Sequence, residues 1–218
     1  MDNIYFISGL GADERVFQFL DIKIQANIFF IKWIDPLKNE NLQNYVKRLS
    51  RQIDSSDNNI LIAVSFGGII AIELSKIVNL KKIFIISSIK TKNEMPILYR
   101  IIKVIKIVSL IPSKLFISCN SLISFFFGIE NKKEKELLTQ ILQDTNASFA
   151  KWAIMQFLNW ETDIEIKNLI HIHGTKDRLL PIRNIKHCNR IVDGTHFMII
   201  NKSEEISNII NEHLKNGI

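Results

Sequence analysis

Apolar residues along this chain fall into short unbroken runs separated by longer stretches in which they recur every three or four positions. The runs are Ile4–Ile7, Asn27–Trp33, Ile60–Val64, Lys82–Ser87, Leu169–His173 and, shortest, Asn189–Val192. Runs of this length bounded by Gly, Asn, Asp or Ser predict strands, and an almost unalternated one such as Ile60–Val64 suits the middle of a parallel sheet covered on both faces. Between them, Leu42, Tyr45, Val46, Leu49 and Ile53 keep helical spacing, and Ile69–Val78 continues a helix soon after Ser65. Near the end, Ile206, Ile209, Ile210 and Leu214 share one face of a helix over Ser203–Leu214, and Ser203, Glu204 and Glu205 suit its start. Strand and helix in alternation predict an α/β fold: a mainly parallel sheet of about six strands flanked by helices.

The alternation stops between the fourth and fifth strands. Residues 90–162 read as several helices with no strand, which divides the chain into a core (1–89 and 163–218) and a helical lid inserted over the carboxyl edge of the sheet. Pro96 and Pro112 bracket one helix, Ile97–Ile111, in which Arg100, Lys103 and Lys106 recur every third residue and nearly everything else is apolar. Its apolar arc is wider than a core-facing stripe, so such a helix is either buried on several sides or lies against something greasy. Trp152, Phe157 and Trp160 fall on the last helix of the lid, where core packing is the default role and substrate contact the sharper one.

Composition narrows the class. With 47% hydrophobic and 23% charged residues the chain is an ordinary folded domain. Its 28 basic and 22 acidic residues give a net charge of +6, compatible with a solvated surface or with an acidic carrier protein or membrane surface as partner. The lysines are scattered without interleaved aromatics, so nucleic acid is not expected. Cys119 and Cys188 stand far apart in no metal-type spacing and read as free thiols. The start shows no secretory pattern, and the charge-free stretch Leu115–Ile129 is shorter than the roughly 20 residues of a spanning helix. A cytoplasmic location is expected.

The candidate chemistry lies where strands end. Ser65 follows the third run in Ala63-Val64-Ser65-Phe66-Gly67-Gly68; Asp177 follows the fifth in His173-Gly174-Thr175-Lys176-Asp177; His196 lies in Gly194-Thr195-His196. Taken singly, Ser65 is a common strand ending, Asp177 a turn residue before Pro181, and His196 a loop residue. Taken together, they have the types and order of a nucleophile, its orienting carboxylate and its base. A serine on a tight strand-to-helix turn needs small neighbours two positions to either side, and Ala63 and Gly67 supply them.

With Ser8-Gly9-Leu10-Gly11 after the first strand, these segments resemble a small α/β-hydrolase over nearly the full length of the chain. The resemblance implies Ser65 as nucleophile, His196 as general base and acid, Asp177 as its orienting carboxylate, and the backbone N–H groups of Leu10 and Phe66 as oxyanion hole. It departs from the family at Ala63, where a glycine is usual, at Ser8, where a histidine is usual, and in lacking two leading strands, a trimming at the N-terminus. The implied activity is hydrolysis of a carboxylic ester or thioester of a small-molecule or acyl-chain substrate, with no metal and no cofactor. The rivals are a ligand-binding protein that keeps the fold without catalysis, and a membrane-peripheral or acyl-carrier ester hydrolase. His171 and His173, two apart on one strand, share a face as metal ligands sometimes do, but no carboxylate or cysteine cluster accompanies them. Asp13 and Glu14, after the glycine turn, lie near the expected entrance or are simply solvated.

Overall fold

The computed structural model describes residues 1–55, 58–118 and 121–215. Six strands, β1 (Asp2–Ile7), β2 (Ala26–Phe30), β3 (Asn59–Val64), β4 (Lys82–Ile86), β5 (Leu169–Gly174) and β6 (Asn189–Ile191), form one sheet in the order β2-β1-β3-β4-β5-β6. Every pairing is parallel. The strand residues alternate between two apolar layers, as the two-residue period of a strand requires. Tyr5, Ile7, Leu61, Ala63, Ile83 and Ile85 pack on one side, with α1 (Leu42–Leu49) and α2 (Phe66–Leu74). Ile4, Phe6, Ile60, Ile62, Phe84 and Ile86 pack on the other, with α9 (Ser203–Lys215). All six residues of β3 are buried. That is why this strand carries no polar alternation in the sequence.

Between β4 and β5 the chain forms α3 (Ile97–Ile105), α4 (Ile107–Leu110), α5 (Ser121–Phe127), α6 (Lys132–Asp144) and α7 (Ala147–Asn159); a short α8 (Met198–Asn201) precedes α9. Phe149 and Ala153 of α7 join the first apolar layer, and Leu138, Ile141 and Leu142 of α6 join the second. The inserted segment therefore straddles the sheet. Among the described residues no helix is long and apolar enough to cross a membrane.

Helix α1 ends at Leu49 and α2 at Leu74, earlier than the apolar spacing to Ile53 and Val78 suggests, and three further differences have a local reason. Strand β2 ends at Phe30, short of Trp33, because the Gln52 side chain takes over the backbone of Lys32: its Oε1 accepts from the Lys32 N–H (2.9 Å) and its Nε2 donates to the Lys32 carbonyl (2.9 Å). Helix α2 begins at Phe66, not Ile69, because Ser65 absorbs the whole turn in one residue, at φ 53° and ψ −120°. The helix expected over 97–111 breaks at Lys106, which is left-handed at φ 51°. Eleven residues make three helical turns, so an unbroken helix would point Val108 outward beside Ile97; the break turns Val108 inward, where it is buried.

Candidate active site

The carboxyl edge of a parallel sheet collects the loops that follow its strands. Here it gathers the loop after β1 (residues 8–12), the turn after β3 (Ser65), the loop after β5 (Asp177) and the loop after β6 (His196). Ser65 Oγ lies 2.9 Å from His196 Nε2, and His196 Nδ1 lies 2.8 Å from Asp177 Oδ2. Three residues remote in sequence are thus joined in one hydrogen-bonded chain. A carboxylate only accepts, so Nδ1 of His196 carries the hydrogen and Nε2 presents its lone pair to the serine hydroxyl.

Each member is held by its own set of contacts. The Ser65 backbone is pinned by its N–H to the Ile86 carbonyl (2.8 Å) and by its carbonyl accepting from Ser88 Oγ (2.8 Å) and the Gly68 N–H (2.9 Å). These bonds hold a backbone conformation that costs a non-glycine residue on the order of 1–3 kcal/mol. Asp177 is buried; its Oδ1 accepts from the Leu179 and Leu180 N–H groups (2.9 and 2.8 Å), which leaves Oδ2 for the histidine. Gly174 and Gly194 draw the Asp177 and His196 loops together: a Cβ at Gly174 would stand 2.2 Å from the Gly194 carbonyl oxygen. From the inserted segment, the Phe127 ring meets His196 edge-on at 5.3 Å.

The small residues around Ser65 are required by close approach. A Cβ on Gly67 would fall 2.4 Å from the Ser8 carbonyl oxygen and 2.6 Å from that of Ile7, both fixed at the end of β1. We expect Gly67→Ala to lower stability by about 1–3 kcal/mol, as overpacking does. Denaturant melts of the two proteins check this, and equal midpoints would contradict it.

Leu10 and Phe66 both line the cavity that holds Ser65. Among the described residues neither backbone N–H has a hydrogen-bond acceptor, and Phe66 is the first residue of α2. The loop bearing Leu10 is braced by Trp33, a residue that its place in an apolar run did not single out. Its indole N–H lies within 3.0–3.2 Å of Ser8 Oγ and the carbonyls of Gly9 and Ala12, and its ring packs on Phe66. Thr145, between α6 and α7, donates to the Gly11 carbonyl (2.8 Å) and so ties the insert to the same loop.

The cavity encloses about 370 Å³, a size typical of small-molecule sites. Apart from Ser65 and His196 its wall is nearly all apolar, with Ile102, Val108, Phe116, Ile123 and Phe157 contributed by the inserted segment. Of the aromatic residues near the end of that segment, Phe157 lines the cavity. The Trp152 indole donates to the Glu40 carbonyl and that of Trp160 to the Glu73 carboxylate, each at 2.8 Å. Asp13 and Glu14 do not reach the cavity; they pair with Arg15 and Lys32, and the Arg15 guanidinium lowers the Asp13 pKa.

His171 and His173 do share a face, their ring nitrogens 3.3 Å apart in the interior. Among the described residues no group of three His, Cys, Asp or Glu is placed to hold a metal ion. His173 instead donates from Nε2 to the Leu180 carbonyl (2.7 Å), with Asp177 Oδ2 at 3.5 Å, and so backs the loop that presents the carboxylate. Burial lowers the pKa of both imidazoles, that of His171 well below 6.5. The unfolded chain therefore takes up protons near pH 6.5 that the fold refuses, and stability must fall as pH drops through that value. Melts between about pH 8 and pH 5 should show this loss, shallower in His171→Gln; identical slopes would contradict it. Cys188 is a free, partly buried thiol whose pKa is raised by burial; Cys119 lies outside the described residues.

Sheet order, insert and serine turn together make this an α/β-hydrolase fold. Solved structures similar to it over nearly the whole chain include MenH from S. aureus (15% identity, TM-score 0.72, 99% of this chain and 94% of that one). A hydrolase from Oleispira antarctica, olei00960, is similar at 14% identity and TM-score 0.70 (99% and 92%), and a malate-bound thermophilic esterase from Thermogutta terrifontis at 13% and 0.67 (100% and 90%). At such identities the likeness carries the fold and no more. No family model and no curated protein matches the sequence.

Proposed function

We propose that the protein is a serine hydrolase that cleaves a carboxylic ester or thioester of an apolar acyl group through an acyl-serine intermediate. The observation that carries this reading is the Ser65–His196–Asp177 hydrogen-bonded chain opening into an apolar cavity. Similar folds include proteins named esterase and hydrolase, which agrees with it.

The steps follow from the atoms in place. Ser65 Oγ attacks the acyl carbonyl carbon while His196 Nε2 takes its proton, and the Asp177 carboxylate stabilises the imidazolium through Nδ1–H. The carbonyl oxygen becomes an oxyanion, facing the N–H groups of Leu10 and Phe66 at the amino end of α2. Collapse of this intermediate breaks the bond to the leaving oxygen or sulfur, which takes the proton from His196. Water then attacks the acyl-serine, gives a proton to His196, and releases the carboxylic acid and the free Ser65 hydroxyl. The inserted segment acts as a lid: its inner face receives the acyl chain and excludes bulk water.

A panel of p-nitrophenyl esters and acyl thioesters of increasing chain length, run on wild type and Ser65→Ala, tests the proposal. Turnover of apolar acyl groups that Ser65→Ala lacks supports it. Absence of turnover across the panel by the folded wild type favours a ligand-binding protein that has kept the fold.

A further inference from the structure

The sequence left two fates for the apolar arc of residues 97–111, burial within the chain or contact with something greasy, and the fold excludes the first. No residue of α3 is buried. Ile97, Val104 and Leu110 are 76%, 77% and 81% exposed, and Leu98, Ile101, Ile105 and Ile107 are exposed beside them. The inward positions are Tyr99 and Ile102, which line the cavity. The two faces of one short segment thus have different duties, the inner on the catalytic cavity and the outer on solvent. Scattered exposed apolar residues are ordinary on a protein surface; a row of seven on one segment marks a contact site.

The charge along this segment narrows what can cover it. From position 96 to 129 the sequence contains Arg100, Lys103, Lys106 and Lys114 and not one Asp or Glu. Arg100 and Lys103 are engaged at the seam of the insert, with the carbonyls of Lys92 and Asn93 and with Glu161. Lys106 and Lys114 are exposed and, among the described residues, have no carboxylate within ion-pairing distance. A second copy of the chain meeting this face two-fold would bring the same cations together. A bilayer with anionic headgroups offers both complements at once, negative charge for the lysines and an apolar layer for the side chains between them.

We infer that this outer face docks the protein on an anionic membrane surface. α3 has nine residues, too few to span, so it lies in the plane of the interface. Resting on the hydrolase reading, the inference also gives the substrate class: a membrane-borne amphiphile whose acyl chain passes beneath the docked segment to Ser65.

Co-sedimentation of the full chain with phosphatidylcholine vesicles, and with equimolar phosphatidylcholine and phosphatidylglycerol, tests docking. A soluble p-nitrophenyl butyrate assay on the same samples reads the site separately. Wild type should bind the anionic vesicles about tenfold more tightly than the neutral ones. Ile97→Glu/Val104→Glu/Leu110→Glu and, independently, Lys106→Glu/Lys114→Glu should each lose about tenfold of that binding. Neither changes a residue of the cavity wall, so butyrate turnover should stay at the wild-type level. The charge variant keeps the test decisive if the triple variant folds poorly.

Butyrate turnover without anionic-vesicle binding overturns docking and leaves the hydrolase reading standing. Vesicle binding lost in both variants, with no turnover of butyrate or of the longer esters and thioesters of the panel, supports docking and removes the hydrolase reading. Vesicle binding unaffected by both variants places the contact elsewhere and overturns the assignment. So does a dimer that the triple variant dissolves, or capture by an immobilised acidic acyl-carrier protein, through these residues, in place of vesicle binding.

Discussion

Ser65→Ala is expected to reduce turnover of any accepted ester by on the order of 10⁵–10⁶-fold while leaving the fold intact. The hydroxyl stands 2.9 Å from His196 Nε2, the nitrogen that takes its proton in the proposed attack. Without it, hydrolysis requires direct attack by water, helped only by substrate binding and by what remains of the site. The fold should tolerate the change, because the bonds that hold the turn come from the Ser65 backbone and not from Oγ. Steady-state kinetics with a thermal melt separate the two effects. A loss smaller than about tenfold in a folded variant would mean that Ser65 is not the nucleophile.

Asp177→Asn should cost about 10⁴-fold in kcat with little change in KM. The reason lies in how the two carboxylate oxygens are used. Oδ1 accepts from two backbone N–H groups, so an asparagine must keep its carbonyl oxygen there and turn its amino group toward His196. That amino group donates to Nδ1, which forces the imidazole hydrogen onto Nε2. The ring then offers Ser65 a hydrogen where a base is needed. Hydrogen bonding around Asp177 is preserved in number, so stability should change far less than rate. Kinetics on the variant decide this, and a kcat within tenfold of wild type would show that Asp177 does not set the tautomer.

The inner strands β1, β3, β4 and β5 were readable because each lies between two parallel neighbours and keeps almost no polar face, as all-buried β3 illustrates; the edge strand β2 was readable from its apolar run although most of it is exposed. The candidate site was readable for a related reason: Ser65, Asp177 and His196 directly follow such runs, and a parallel sheet brings all its strand ends to one edge. What the sequence hid depends on contacts between distant segments. Trp33 reads as one more apolar residue, yet its indole N–H braces the loop of Leu10 across 21–25 positions. Thr145 and Ser88 are unremarkable until Gly11 and the Ser65 carbonyl stand beside them. Lys106 was read as part of a basic stripe; in the fold it is left-handed and ends α3, and Val108 beyond it is buried.

His173 was hidden in the same way. Its spacing from His171 suggested only a shared face. In the fold it lies behind the carboxylate that orients His196, bonded to the Leu180 carbonyl whose own N–H holds Asp177. Along the chain these residues stand four and seven positions from His173, and nothing in that spacing shows that they form one buttress.

Reaction with a fluorophosphonate, followed by peptide mapping in a mass spectrometer, probes the serine as a nucleophile whatever the natural substrate. A single covalent adduct on Ser65, greatly slowed in His196→Ala, is the predicted result. A folded wild-type protein that stays unmodified, or is modified at another residue, would contradict the view that this hydroxyl is activated by its imidazole neighbour.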